Sequence, residues 1–244
     1  MISIVGRKGS KSITRLVKNS NIKRYKSNCD LLINYGLTGP KLSNFFRRFP
    51  SARGKKIVNR VIGTRTKYAD VRLAAKNGVL VPDTKLTLGV FERPKFLSKP
   101  MHSQGGRNIH MATARKNVAG KYYQKFVDRK YELRVHVFSW MDESVIHKRL
   151  GSPDEVTWNY HNGGKFLTIR NQTGYKVFDE AKRISRELLG ILNMDFGAVD
   201  FVVSKDNELF FIEINAAPGF ENLSEPIYKK AFEELDTKNG RNRL

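Results

Sequence analysis

The apolar positions of the chain change period several times, and each change marks an element. The clearest case is Gly197–Gly219. Ala198–Val203 and Leu209–Asn215 alternate apolar and polar residues on either side of the polar run from Ser204 to Glu208, so the spacing predicts a β-hairpin. Upstream, Ile184, Leu188, Ile191 and Leu192 share one face of a helix predicted over Asp179–Asn193. Phe96–Pro100, Lys121–Val127, Leu133–Trp140 and Ser144–Arg149 read as strands, with Asp128-Arg129-Lys130 as a turn. Tyr68, Val71, Arg72 and Ala75 recur at i, i+3, i+4 and i+7, which predicts a helix from Thr64 that closes at Asn77-Gly78. At the N-terminus, strands Ile2–Val5, Leu31–Asn34 and Lys56–Asn59 join helices through Ile13–Val17 and over Pro40–Phe49 into a small α/β unit. Ser224 caps a last helix, Glu225–Asp236, after which the polar TKNGRNRL is expected to fray.

A chain of 244 residues suffices for one large or two small domains with a real core. The N-terminal sixty residues are meagre as a domain and are expected to lean on the rest. With 40% hydrophobic and 11% aromatic residues the composition is not that of a disordered chain. No apolar run approaches the roughly 20 residues that span a bilayer, and MISIVGRKGS is too short in apolar residues for a signal peptide. Cys29 stands alone beside Leu31-Leu32-Ile33, which reads as a buried, inert thiol and excludes a disulfide framework. A cytoplasmic location is the expectation.

The formal charge is +22, and its distribution says more than its size. Residues 1–60 hold 15 Lys/Arg against the single acid Asp30, and residues 61–120 hold 11 against 3; the remainder is near balance. A front half that basic attracts polyanions: nucleic acid, an acidic polypeptide or a phosphorylated ligand. A solvated face that merely aids solubility is the competing account.

The hairpin carries the candidate chemistry. With Val203 facing Phe210, Asp200 lies opposite Glu213, their Cβ atoms roughly 4.5–5.5 Å apart. A slip of two residues keeps both acids on one face; a slip of one separates them. Asn215 shares the face of Glu213 and sits where Ala216-Ala217-Pro218-Gly219 ends the strand. Two carboxylates and an amide oxygen form a hard donor set suited to Mg²⁺ held jointly with phosphate oxygens. A solvated sheet face with its acids outward is the alternative. Lys99 leads into the Ser/Gly-rich turn at 103–108, a place where an ammonium and backbone N–H groups can meet phosphates, although a plain hairpin turn would read the same. Gly6-Arg7-Lys8-Gly9-Ser10 lacks the spacing of a phosphate-binding P-loop. The five His residues show no metal-ligand spacing, with His161 the one worth testing, and no Ser-His-Asp or Cys-His set is evident.

Taken in order, Lys67 ahead of GVLVPDT, FLSKP then SQGG, YYQKFV, ELRVHVF, HKR, WNYHNGG and GAVDF…FFIEINAAPGF resemble the ATP-grasp superfamily, most of all its RimK-type amino-acid ligases. The resemblance covers roughly residues 57–220. It implies an α+β ATP-grasp fold, two α+β lobes clasping ATP, after a shortened α/β domain: 1–60, then a central lobe 61–122 and a C-terminal lobe 123–244. Lys67 and Lys99 would hold the ATP phosphates under a flap containing Ser103, Gly105 and Gly106. The backbone of Gln124, Lys125 and Phe126 would meet the adenine, and Glu132, where relatives carry Asp, the ribose. Arg134 and Arg149 would lie by the transferred phosphate and the substrate carboxylate. Lys148 competes with Arg149, since adjacent strand residues face opposite ways. Asn159 would orient phosphate or metal, and Asp200, Glu213 and Asn215 would bind two Mg²⁺, with Mn²⁺ as a substitute.

The reaction so implied is ATP-dependent joining of a carboxylate to an amine through an acylphosphate, adding an amino acid to a peptide or protein, an acidic one in view of the basic front half. Two alternatives stand beside it. One is an ATP-grasp kinase that stops at phosphate transfer. The other is an ATP-gated module that binds nucleic acid through residues 1–120.

Overall fold

The computed structural model describes residues 1–60, 66–89, 95–102, 108–112, 117–152, 155–158, 163–169, 174–220 and 224–241, with backbone alone for the last six. Ile2–Gly6 (β1), Lys23–Arg24 (β2), Leu31–Tyr35 (β3) and Lys56–Val58 (β4) form a parallel sheet in the order β2-β1-β3-β4. Its two central strands, β1 and β3, are buried almost throughout because both faces are covered. Val5 and Leu32 pack toward Leu42 of the helix Gly39–Arg48 (α2), whereas Ile2, Ile4, Leu31 and Ile33 face the opposite way, toward Ile13 and Leu16 of Lys11–Val17 (α1).

Lys67–Lys76 (α3) follows, capped by Thr66, whose hydroxyl accepts from Ala69 N at 3.1 Å. Thr84–Lys85 (β5), Phe96–Pro100 (β6), His110–Met111 (β7) and Lys121–Lys125 (β8) make a second, antiparallel sheet in the order β5-β8-β6-β7. The third sheet is the largest: Arg129–Phe138 (β9), Met141–Leu150 (β10), Lys165–Thr168 (β11), Phe196–Ser204 (β12) and Leu209–Asn215 (β13), ordered β11-β10-β9-β12-β13 and antiparallel throughout. One of its faces, with Leu133, Val135, Val199 and Phe201, buries against α3 and against Lys176–Ile191 (α4). On the opposite face the end with Phe138 and Phe196 is covered, and the part around Arg134 and Asp200 is left for polar work.

The small N-terminal sheet does lean on the rest. Its apolar layer continues into Phe138 and Phe196 at the end of the large sheet and into Ile227, Tyr228, Ala231 and Phe232 of Ser224–Arg241 (α5). Asn59, in the left-handed region at φ 57°, pins the junction: its side-chain oxygen accepts from Asp195 N at 2.7 Å and Phe196 N at 3.2 Å, and its amide donates to Phe196 O at 3.0 Å. Tyr35 O–H donates to Pro218 O at 2.7 Å, which brings the carboxyl end of β3 against the loop after β13. Beside it Gly36, at φ 82°, has no room for a Cβ because Ala217 occupies the space.

Several expectations need correction. The buried stripe of α3 is Val71 and Ala74, with Arg72 exposed, because the large sheet lies on that side. The last helix continues to Arg241 instead of fraying from Thr237. β8 runs through Lys125, across the expected 122/123 boundary, and α3 packs on the large sheet through Val71 and Ala74 while its Tyr68 meets Tyr122 of the small one, ring centroids 5.9 Å apart. Arg129 and Lys130, read as a turn, belong to β9.

Candidate active site

Four residues stand in one line across the polar face of the large sheet: His147 on β10, Arg134 on β9, Asp200 on β12 and Glu213 on β13. Opposed residues of an antiparallel sheet point the same way, so the line brings the two carboxylates together as expected. The register that achieves this differs from the symmetric one. At the turn Val203 faces Leu209, not Phe210, and the pairing shifts between Phe201↔Phe211 and Asp200↔Glu213. Ile212 is thus the extra residue of a bulge, and both it and Glu213 line the cleft.

This cleft, of about 320 Å³, lies between the large and the small sheet and is lined from both. Lys99 of β6 and Gln124 of β8 border it on one side, Glu132, Arg134, Arg149 and Asp200 on the other. The Asn215 side chain donates from Nδ2 to Asp200 Oδ2 at 3.2 Å and to Glu213 Oε1 at 3.1 Å, so the three metal candidates converge. The positive end of that amide fills the place a cation between the two carboxylates would take; a half-turn of the amide would present its oxygen instead. Among the described residues no three His, Cys, Asp or Glu side chains form a metal cluster. The donor set that fits Mg²⁺ is two carboxylates plus the Asn215 amide oxygen.

The carboxylates are held by cations. Arg134 grips Asp200 with Nε–Oδ1 at 2.7 Å and Nη2–Oδ2 at 2.8 Å, and Arg149 adds Nη2–Oδ1 at 3.0 Å. Burial acts to raise the Asp200 pKa, yet the two guanidiniums outweigh it and hold the group at about 2. Lys67, in the first turn of α3, pairs with Glu213 and lowers its pKa against the same burial. Lys99 is buried, donates to Gln124 Oε1 at 2.8 Å and lies 5.7 Å from the Tyr122 ring centroid. Burial brings its pKa down to about 8, so the ammonium is costly until an anion arrives. Lys67, Lys99, Arg129, Arg134 and Arg149 face Glu132, Asp200 and Glu213, a surplus of two positive charges among these residues.

The other candidates divide. Glu132 lines the cleft between Arg129 (3.1 Å) and Arg149 (3.6 Å). Arg149 faces the site, whereas Lys148 points to the opposite face with its ammonium 4.2 Å from the Tyr131 ring centroid, so Lys148 leaves the candidate set. Gln124 spends its side chain on Lys99 and on Thr84, 3.2 Å away, and its backbone lies within the β5-β8-β6 ladder. Lys125 N and Phe126 N donate to Asp83 O and Lys95 O. Ser103, Gly105, Gly106, Asn159 and His161 lie outside the described residues.

Arg129 escaped the sequence reading. Strict alternation puts it on the core face of β9 with Tyr131, but the pairing with β12 shifts at Lys130 and brings it to the face of Glu132. The available signal was the arginine three residues before a glutamate at the start of a strand, and the polar DRK run concealed it.

No protein-family model and no curated protein matches the sequence. Solved structures do match. The ATP-grasp ligase PsnB, complexed with a phosphomimetic variant of its minimal precursor, Mg and ADP, aligns with a TM-score of 0.67 at 12% identity over 96% of this chain and 97% of that one. A RiPP-associated ATP-grasp ligase of Chryseobacterium gregarium, in complex with ADP and a leader and core peptide, aligns at 0.65 with 14% identity over 97% and 96%. D-alanine–D-alanine ligase from Bacillus anthracis complexed with ATP aligns at 0.63 with 16% identity over 94% and 90%. The chain has the ATP-grasp fold expected from its ordered motifs.

Proposed function

We propose that this chain, with its ATP-grasp fold, is an ATP- and Mg²⁺-dependent carboxylate–amine ligase of the RimK-like kind. One observation carries the reading: the buried Asp200, the half-buried Glu213 and an amide, set opposite Lys67, Lys99, Arg134 and Arg149, in a cleft that bears a positive surplus. Such a site suits a polyphosphate with a divalent cation far better than it suits an uncharged ligand.

Carboxylates do not condense with amines near neutral pH because oxide is a poor leaving group. In the proposed reaction a carboxylate oxygen attacks the γ-phosphorus of ATP and the bond to ADP breaks. The amine then attacks the acyl carbon, phosphate departs with the C–O pair, and the amine loses a proton. Bound Mg²⁺ would be held by Asp200, Glu213 and Asn215 and would neutralise phosphate charge. Lys67 and Lys99 bind phosphate oxygens as point charges, and Arg149 and Arg134, with planar forks, hold the transferred phosphoryl group and the substrate carboxylate. With the Lys125 and Phe126 N–H groups engaged, the adenine edge falls to the next linker residue lining the cleft, Val127. Positioning and charge neutralisation account for the rate, with no covalent nucleophile needed.

For the acid substrate we infer an acidic polypeptide. The first turn of α1 and the carboxyl end of β3 abut the loop after β13, where Ser12 O–H and Tyr35 O–H both donate to Pro218 O, and every Lys and Arg of residues 1–60 except Lys55 is exposed. The neighbouring peptide-bound ligases support a polypeptide.

The test is ADP release with Mg-ATP across a panel of amino acids and Glu/Asp-rich peptides, with hydroxylamine as trap. Hydroxamate formation and amine-stimulated release are expected. ADP release that yields only a phosphate monoester would make the chain a kinase. Steeply salt-sensitive RNA or DNA binding with no turnover would make it a nucleic-acid module.

A further inference from the structure

We infer that Arg129 is a positioning residue for the sugar of the nucleotide: it orients Glu132 to read the ribose hydroxyls, so this arginine, through Glu132, sets the preference for a ribonucleotide. The inference rests on the nucleotide reading above and adds to it a residue outside the motif series.

Arg129 is almost wholly enclosed yet lines the cleft. Its guanidinium donates to Val156 O at 3.0 Å and Glu155 O at 2.6 Å, and pairs with Glu132 Oε1 at 3.1 Å. Its flat face lies 4.1 Å from the Trp158 ring centroid, and the Phe126 ring is 5.7 Å away. Trp158 is itself fixed, donating to Ser152 O at 2.7 Å and filling the space a Cβ at Gly151 would need. One side chain therefore joins the linker between the sheets, the wall at 155–158 and the Glu132 carboxylate.

The consequence for Glu132 is chemical as well as geometric. Burial pushes its pKa up, and Arg149 and Arg129 act against that push. Held from two sides, Oε1 by Arg129 and Oε2 by Arg149 at 3.6 Å, the carboxylate keeps one acceptor direction on each oxygen untaken among the described residues. Two acceptors on one rigid carboxylate match the vicinal pair of hydroxyls of a ribose. Without Arg129 the group loses both its aim and part of what keeps it ionised, and a protonated Glu132 presents a donor where the sugar needs an acceptor. A lysine at 129 could pair with Glu132 but could not also span both wall carbonyls.

The experiment compares dissociation constants of Mg-ATP and Mg-2′-deoxyATP by Trp fluorescence and calorimetry on the full chain. Wild type is expected to favour ATP by about tenfold or more, the effect of one hydrogen bond to a charged group. Arg129→Met and Glu132→Gln are expected to weaken ATP about tenfold more than they weaken 2′-deoxyATP, which keeps only the 3′-hydroxyl, and so to collapse the ratio toward one. Arg129→Lys, which pairs with Glu132 but cannot hold both wall carbonyls, is expected to lower the ratio partway, and it decides the question if the Met variant does not fold. Equal weakening of both nucleotides in Arg129→Met would mean a structural wall only and would overturn the inference, as would an unchanged ratio. Absence of binding of either nucleotide to the wild-type chain would overturn the nucleotide reading and this one together.

Discussion

Arg134 and Asp200 stand directly opposite each other on β9 and β12 and are joined by a two-point ion pair, Nε–Oδ1 at 2.7 Å and Nη2–Oδ2 at 2.8 Å. The same carboxylate also takes Arg149. Viewed from the sequence, Asp200 and Glu213 repel, and neutralising one would relieve the fold. In the structure the carboxylates are outnumbered, and the opposite follows. Asp200→Asn removes the carboxylate that Arg134 and the buried Arg149 share, so it is expected to cost about 3–5 kcal/mol of stability. Mg-dependent ADP release should fall on the order of 100-fold or more. Urea unfolding and ADP release check the two halves. A stable, active Asp200→Asn protein would remove this carboxylate from the site.

Lys99 gives a pH signature. Its pKa is brought down to about 8 by burial, and phosphate favours the ammonium form. Affinity for ADP is therefore expected to decline as pH rises past about 8, approaching tenfold per pH unit. Lys99→Met should bind weakly throughout and lack that decline, as titration calorimetry between pH 7 and 9.5 would reveal. The linked effect on the ligand-free fold has the opposite sign. The unfolded chain keeps this proton up to about 10.5, so stability contributed by Lys99 rises between about pH 8 and 10.5.

His147 and His136 lie buried beside the arginines, 5.3 Å apart between ring centroids. Burial, with Arg134 and Arg149 nearby, lowers the pKa of His147 to about 4, so the folded chain keeps it neutral while the unfolded chain takes up a proton near 6.5. Stability is fully present above about pH 6.5 and is lost as pH falls toward 4, by about 3 kcal/mol from this group. His147→Gln, which can still hydrogen-bond Thr168, should flatten that loss in urea unfolding at pH 7, 5.5 and 4.5. An unchanged slope would show that His147 does not titrate in this range.

Asn59 ties the N-terminal sheet to the large one through three side-chain hydrogen bonds in a left-handed backbone conformation. Asn59→Ala is expected to cost about 2–4 kcal/mol, since it orphans buried backbone groups and strains the turn. Thermal unfolding should remain a single transition, because the aromatic layer around Tyr35, Phe196 and Tyr228 is common to both parts. Two separate transitions would show that the layer does not couple them.

Much of this was legible in the chain. Alternation in Ala198–Val203 and Leu209–Asn215 gave the hairpin, and the acid pair with Asn215 gave the oxygen donors. Local pattern could not give phase. A single inserted residue in a strand reverses which face its neighbours occupy, which is why the turn register at Val203 was off by one, whereas the polar DRK run made Arg129 read as a turn. Nor does a strand pattern show whether Lys148 or Arg149 faces inward; that depends on which side α3 and α4 cover. The engagement of Gln124 with Lys99 is likewise tertiary, arising from the pairing of β6 with β8.

The extra residue at Ile212 separates the tip of the hairpin from its working end. The half-step it absorbs lets the turn at 204–208 follow its own geometry while Asp200 and Glu213 remain face to face. That tip is tied instead to the start of β9, where Lys205 N donates to Asp128 O and Lys130 Nζ reaches Asn207, so a change of length there bears first on Arg129 and only through the bulge on either acid. Removal of Ile212 would instead spread every change at the tip straight into the chemistry.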